Sequence, residues 1–158
     1  MGVEIERKFL VVGEAWRAFG TPRLLRQGYL SLDPERTVRV RIEGEEATLT
    51  IKGKSRGATR GEWEYPIPVQ EAAQLLDTLC HQPLVEKIRH RVNAGPHTWE
   101  VDEFLGANAG LVVAEIELSL ESEAFDKPDW IGMEVTHDKR YFNSNLIRNP
   151  YSVWKDPA

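Results

Sequence analysis

VEIERKFL, residues 3–10, decides the fold because its charged and apolar side chains alternate. With the two-residue period of a β-strand, Glu4, Glu6 and Lys8 fall on one face, and the opposite face is mainly apolar. Two acids and a base therefore share a strand face that carries no apolar residue.

Alternation or β-branched content recurs along the chain and predicts about eight strands. Their segments are EIERKFLV, LLRQGYLSL, TVRVRIEG, EATLTIKGK, EWEYPIPV, VEKIRHRV, TWEVDEFL and LVVAEIELSL. Turn signals such as Pro34 in LDPER and Gly44 in EGEE separate most of them, which indicates an antiparallel meander. Helices are predicted at residues 13–20, at 68–81 after Pro68, and at 136–149 with Thr136 as the cap.

Length and composition bound the function. The chain has 158 residues, of which 41% are hydrophobic, so we expect one domain over residues 1–158. A net charge of −5 argues against a nucleic-acid partner. The single cysteine, Cys80, cannot form an internal disulfide, and no apolar run is long enough for a membrane span or a secretory signal. We expect a cytoplasmic protein with no membrane partner, and a homodimer stays open as its assembly.

Pairs of like charge recur at alternate positions on six further segments, separated by one apolar residue or by Gly53. The pairs are Arg39 and Arg41, Lys52 and Lys54, Glu62 and Glu64, Lys87 and Arg89, Glu100 and Asp102, and Glu115 and Glu117. A solvated sheet face is the ordinary explanation for one such strand. Across seven strands it is weaker, because crowded like charges repel and need opposite charge between them.

A closed antiparallel barrel of about eight strands satisfies this need if the charged faces point into the lumen and a few helices flank the outside. The basic pairs would then bind a polyanion through charge-assisted hydrogen bonds. The acidic pairs would hold a hard divalent cation, Mg²⁺ or Mn²⁺, through carboxylate oxygens. The sequence therefore predicts a mainly β, α+β fold with a charged tunnel.

EIERK resembles the ExExK signature of the CYTH superfamily, the triphosphate tunnel metalloenzymes. The resemblance covers almost the whole chain, through LRQGYL, VRVR, LTIK, EWEYPI, VEKIRHRV, EVDEF, AEIEL and EVTHDKRYFN in order. The short chain is most similar to bacterial members that hydrolyse inorganic triphosphate. The resemblance implies a metal-dependent triphosphatase.

The same resemblance implies a role for each matched residue. The metal-binding and water-binding acids would be Glu4, Glu6, Glu62, Glu64, Glu100, Asp102, Glu115 and Glu117. The bases that bind the substrate would be Arg39, Arg41, Lys52, Lys87 and Arg89. Lys8 and Tyr29 would act at the reacting phosphate, where the tyrosine hydroxyl approaches the lysine ammonium if both face the lumen.

Other functions on the same scaffold stay open. One is cyclisation of ATP to cyclic AMP, another is hydrolysis of a nucleoside or thiamine triphosphate, and a third is a module that binds polyphosphate or a nucleotide without catalysis. A cyclase or a thiamine enzyme needs room for an organic group, and no aromatic pair is clearly placed to stack a base. A binding module would not need two acidic pairs together with a Lys–Tyr pair.

Overall fold

The protein folds around one antiparallel sheet, seen in a computed structural model that describes residues 2–154. The strands are β1 (Gly2–Val11), β2 (Arg23–Ser31), β3 (Arg36–Glu43), β4 (Glu46–Gly53), β5 (Thr59–Ile67), β6 (Val85–Ala94), β7 (His97–Phe104), β8 (Val112–Glu117) and β9 (Ile131–Glu134). The helices are α1 (Val69–Thr78) and α2 (Asn143–Arg148). No helix within residues 2–154 is long and apolar enough to cross a membrane.

Eight strands close into a barrel, which confirms the predicted fold. Around the barrel the order is β1, β5, β4, β3, β2, β6, β7 and β8, and β8 pairs again with β1. Closure depends on β1, which pairs with β5 through its first half and with β8 through its second half. Opposite Glu115 on β8 lies Lys8, so the charged faces of the two strands point the same way.

The ninth strand was not predicted. β9 lies outside the barrel and pairs with the second half of β1, on the edge that β5 has left. Its sequence, IGME, is only four residues long and contains a glycine, so neither its length nor its alternation indicates a strand. Its position is set by a long-range pairing.

Among residues 2–154, the regular helix that covers the apolar side wall of the barrel is α1. α1, which begins after Pro68 as predicted, packs Ala72 and Leu76 on Val40 of β3. A second cluster around Phe9, Trp99 and Trp130 covers another part of the wall without a helix. The expectation that flanking helices cover the outside is thus met on the α1 side.

The C-terminal segment, residues 136–149, covers one end of the barrel through Leu146 and Ile147, which pack with Phe104. The single helix predicted there is wrong. A 3-10 turn (Lys139–Tyr141) comes first, and extended Phe142 separates it from α2. Asp138 caps that turn, because the Thr136 hydroxyl instead accepts a hydrogen bond from the Lys8 amide at 3.0 Å.

The helix predicted at residues 13–20 is also wrong, because the structure has only a 3-10 turn there (Ala15–Ala18). The Trp16 indole nitrogen donates to the Gly13 carbonyl at 3.0 Å, and the Trp16 side chain is buried. This segment is therefore held by the buried Trp16 ring and by two hydrogen bonds from Arg17 to Glu103.

Gly28→Ala should destabilise the fold. A Cβ at Gly28 would lie 2.7 Å from a Leu84 methyl carbon and 2.9 Å from the Cys80 Cβ, so α1 and its following loop would have to move. We expect a loss of about 1–3 kcal/mol in the free energy of unfolding, measured by urea denaturation. Gly53→Ala is the control, since its Cβ would meet nothing within 4 Å. Equal stability of the two variants would contradict this packing account.

Candidate active site

The strand order divides the lumen into a basic half and an acidic half. Strands β4, β3, β2 and β6 are neighbours and carry Lys52, Arg39, Arg41, Lys87 and Arg89. Strands β7, β8, β1 and β5 complete the circle and carry Glu100, Asp102, Glu115, Glu117, Glu4, Glu6, Glu62 and Glu64. Bases and acids thus face each other across the lumen, with Lys8 and Arg60 as exceptions on the acidic half and Glu43 and Glu46 as exceptions on the basic half.

A cavity of about 390 Å³ lies inside the barrel. This volume falls in the range of small-molecule sites, about 300–1,000 Å³. The predicted site residues that line it are Glu4, Glu6, Lys8, Tyr29, Arg39, Arg41, Lys52, Glu62, Glu64, Lys87, Arg89, Glu100, Glu115 and Glu117. The structure brings these side chains together, and their individual roles stay predictions.

Asp102 is the one predicted site residue that does not line the cavity. Its carboxylate, 1% exposed, lies 2.7 Å from the Lys87 ammonium and accepts two hydrogen bonds from the Arg89 guanidinium at 2.7 and 2.8 Å. Burial opposes ionisation, but Arg89 and Lys87 lower the pKa of Asp102. These contacts fit a residue that orients the two bases, and its metal role stays a prediction.

Arg41 is a cavity base with no carboxylate of residues 2–154 within ion-pair distance. Its Nε donates to the Gln27 Oε1 atom at 2.8 Å. Burial, followed by repulsion from Arg39 and Arg89, lowers the pKa of Arg41 to about 9. Its charge is therefore unneutralised, and a bound anion would relieve that state.

Arg60 is a cavity base that the sequence analysis missed. Its guanidinium donates to the Gly53 carbonyl and to the Thr37 hydroxyl, both at 3.2 Å, and it makes no ion pair within residues 2–154. The signal was present, because Arg60 precedes Glu62 by two positions on the same strand face.

The acids crowd one another. Glu6 and Glu115 are neighbouring carboxyl groups that affect each other's pKa, and so are Glu4 and Glu62. Burial, then repulsion from Glu115, raises the pKa of Glu6 well above its ordinary value. Burial, then repulsion from Glu4, raises the pKa of Glu62 to about 6. Glu6 and Glu62 therefore keep their protons at a pH where separate carboxyl groups would release them.

This donor set fits a divalent cation by its chemistry. Clustered carboxylate oxygens are the ligands that Mg²⁺ and Mn²⁺ prefer. No three acids within residues 2–154 surround one point at coordination distance. The Glu4 oxygens instead accept from the Lys52 ammonium at 2.9 and 3.1 Å, and a Glu115 oxygen lies 3.5 Å from Arg89. A cation would have to draw these carboxylates away from their basic partners.

Lys8 and Tyr29 line the same cavity but do not contact each other through a hydrogen bond. The Lys8 ammonium donates to the Tyr141 carbonyl at 3.1 Å and lies 3.9 Å from a Glu115 oxygen. Tyr29, 6% exposed, packs with Val85 and Tyr141. The predicted Lys–Tyr pair would require the Lys8 side chain to leave the Tyr141 carbonyl.

In the absence of metal, the protein should become less stable as the pH rises from about 4.5 to about 6. Glu62 has its pKa raised from 4.5 to about 6 by folding, so the folded state binds more protons than the unfolded state between these values. The stabilising contribution is complete below 4.5 and is lost as the pH passes 6. Melting temperatures measured in chelator should fall over this range, and less steeply for Glu62→Gln. Parallel curves for the two proteins would refute the crowding of Glu62.

Comparisons with known proteins agree with this geometry. The CYTH domain model matches residues 2–151. An inorganic triphosphatase of Acetivibrio thermocellus is 53% identical, over 99% of this chain and 100% of its own length. An inorganic triphosphatase of Nitrosomonas europaea is 38% identical over 90% of this chain and 95% of its own. The crystal structure of the inorganic triphosphatase NE1496 superposes with a TM-score of 0.64 at 35% identity, covering 91% of this chain and 97% of that one. The chain belongs to the CYTH domain family.

Proposed function

We propose that the protein hydrolyses inorganic triphosphate to pyrophosphate and phosphate inside the barrel, with a divalent metal. The observation that carries the proposal is the division of one cavity into a basic half and an acidic half, with Arg41 left without an acid partner. Family membership implies the divalent metal, and Mg²⁺ or Mn²⁺ suits the carboxylate donors. The two curated relatives at 53% and 38% identity are both inorganic triphosphatases.

The basic half of the cavity would bind the substrate. Triphosphate carries several negative charges, and hydrolysis moves further charge onto the leaving pyrophosphate or phosphate. Arginine forks on β3 and β6 can bind phosphate oxygens bidentately, and Lys52 and Lys87 add compact charges. Asp102 holds Lys87 and Arg89 from behind the cavity, so both bases are oriented before an anion arrives. The five bases in this role are Arg39, Arg41, Lys52, Lys87 and Arg89.

The acidic half of the cavity would bind the metal, through Glu4, Glu6, Glu115 and Glu117. A bound divalent cation neutralises phosphate charge and lowers the pKa of a water ligand. Glu62, Glu64 and Glu100 line the same side of the cavity and would accept hydrogen bonds from that water shell.

Lys8 extends from β1 beside Glu115, so it places an ammonium group within the acidic half. A phosphate oxygen is a stronger acceptor for its ammonium group than the neutral Tyr141 carbonyl that it now contacts. Lys8 would then stabilise the leaving group or give it a proton, and the Tyr29 hydroxyl would fix the ammonium in that place.

Substrates with an organic group come second for a specific reason. Among residues 2–154, the aromatic side chains that line the cavity are Tyr29 and Phe142, and the Phe142 ring faces the Lys8 ammonium at 5.6 Å. A nucleotide base or a thiamine ring would therefore find no free pair of rings for stacking.

Phosphate release should distinguish these functions. The assay compares inorganic triphosphate, ATP, thiamine triphosphate and pyrophosphate, each with Mg²⁺, with Mn²⁺ and with excess chelator. We expect kcat/KM for triphosphate to exceed that for ATP by at least about tenfold, which is about 1.4 kcal/mol of transition-state discrimination, and activity to vanish in chelator. Turnover of ATP equal to that of triphosphate would favour the nucleotide alternatives, and full activity in chelator would refute the metal.

Arg41→Ala should weaken triphosphate binding by about 2–3 kcal/mol, because it removes a charged donor that no acid of residues 2–154 neutralises. Isothermal titration with triphosphate measures the change. Arg26→Ala is the matched control, since Arg26 makes a surface ion pair with Glu86 at 3.8 Å and does not line the cavity. Equal affinities of the two variants would show that Arg41 does not bind the substrate.

A further inference from the structure

The side-chain amide of Asn143 joins two of the cavity bases. Its Oδ1 atom accepts from the Lys87 ammonium at 2.8 Å and from the Gln27 Nε2 atom at 3.0 Å. The Gln27 Oε1 atom in turn accepts from the Arg41 Nε atom at 2.8 Å. One chain of hydrogen bonds therefore runs from Arg41 on β3, through Gln27 and Asn143, to Lys87 on β6.

The direction of these hydrogen bonds is fixed by the two ends. Arginine and protonated lysine only donate, so Gln27 must present its oxygen to Arg41 and Asn143 must present its oxygen to Lys87. Gln27 then has its Nε2 group free to donate to the same Asn143 oxygen. A substitution at either amide therefore interrupts the whole chain.

Burial holds this chain of hydrogen bonds in place. Gln27 and Lys87 are both 0% exposed, so water cannot replace a lost partner without entering the wall. Asn143 comes from outside the barrel, at the start of α2, and Leu146 and Ile147 of the same helix are packed against the barrel end. The C-terminal segment is thereby connected to Lys87 directly and to Arg41 through Gln27.

We propose that Asn143 is a positioning residue of the substrate cavity: through its Oδ1 atom, and through Gln27, it holds Lys87 and Arg41 at the spacing in which they bind the phosphates. The inference rests on the proposed function for its substrate, inorganic triphosphate. It assigns a task to a residue outside the charged strand pairs. Asn143 also lines the cavity, and its Nδ2 group makes no hydrogen bond within residues 2–154.

The kinetic test compares Asn143→Ala with Asn145→Ala. Asn145 is an exposed asparagine on the same helix, and its amide donates to the Lys139 carbonyl at 2.7 Å, so the control also loses one hydrogen bond. Asn143→Ala should raise KM for inorganic triphosphate about tenfold, the scale of losing a hydrogen bond to a charged group, with a smaller change in kcat. Asn145→Ala should lower the melting temperature about as much as Asn143→Ala does, but it should leave KM unchanged. Equal KM values in the two variants would overturn the inference.

A double-mutant cycle that combines Gln27→Met with Asn143→Ala tests the chain of hydrogen bonds itself. Methionine has a similar volume and cannot bridge Arg41 to Asn143. The single variants should raise KM alike, and the double variant should be little worse than either, because each breaks the same chain. Effects that multiply independently would contradict the proposed coupling.

Crystal structures without ligand separate this inference from the proposed function. In Asn143→Ala the Lys87 and Arg41 side chains should move by about 1 Å or more from their wild-type positions, enough to impair binding. Unmoved side chains would overturn the positioning role whatever the substrate is. Wild-type protein that neither binds nor cleaves triphosphate would instead refute the proposed function, while the crystallographic result would still decide the role of Asn143.

Discussion

Charge inside a closed sheet must be balanced within the lumen, and this constraint governs the structure. A barrel strand points every second side chain inward, and seven strands of this chain point charged groups there. The Asp102 contacts with Lys87 and Arg89 show the balance at its most complete, since all three residues are nearly inaccessible to solvent. Removing one partner from such a group would leave a buried charge uncompensated.

Elsewhere in the lumen, some charged side chains are not neutralised by a partner, and the proposed function follows from these side chains. On the basic half, Arg41 relies on a neutral amide and its pKa is depressed to about 9. On the acidic half, Glu6 and Glu62 have raised pKa values because they are buried and lie beside other carboxyl groups. An anion satisfies the first half and a divalent cation the second. A metal complex of triphosphate supplies both charges in one small molecule.

The sequence predicted the barrel because its signal is local and repeated. Alternation on each strand assigns a face without knowledge of its neighbours, and eight such assignments fit only a few closed arrangements. Features set by long-range contacts were not predictable in this way. β9 is short and depends on an edge of β1, and the C-terminal segment breaks at extended Phe142, while Thr136 contacts Lys8 and caps no helix.

The same distinction applies to the site. The two-residue alternation of the strands predicted that Lys8 and Tyr29 face the same lumen. The distance between them depends on the Tyr141 carbonyl, which comes from another part of the chain. The same alternation indicated that Asp102 faces inward. It did not show that Lys87 and Arg89 enclose the Asp102 carboxylate. Asn143 carries no charge and lies in no alternating segment; it ends the matched EVTHDKRYFN segment, and that match assigned it no role.

A crystal structure with inorganic triphosphate and Mn²⁺ would test the central claim most directly. We expect triphosphate oxygens on the Arg39, Arg41 and Arg89 side chains, and an anomalous manganese peak at coordination distance from Glu4, Glu6 or the β8 acids. The Glu4 carboxylate should then have left Lys52. Triphosphate bound outside the barrel, or manganese found only on surface carboxylates, would contradict the division of the lumen into an anion-binding half and a cation-binding half.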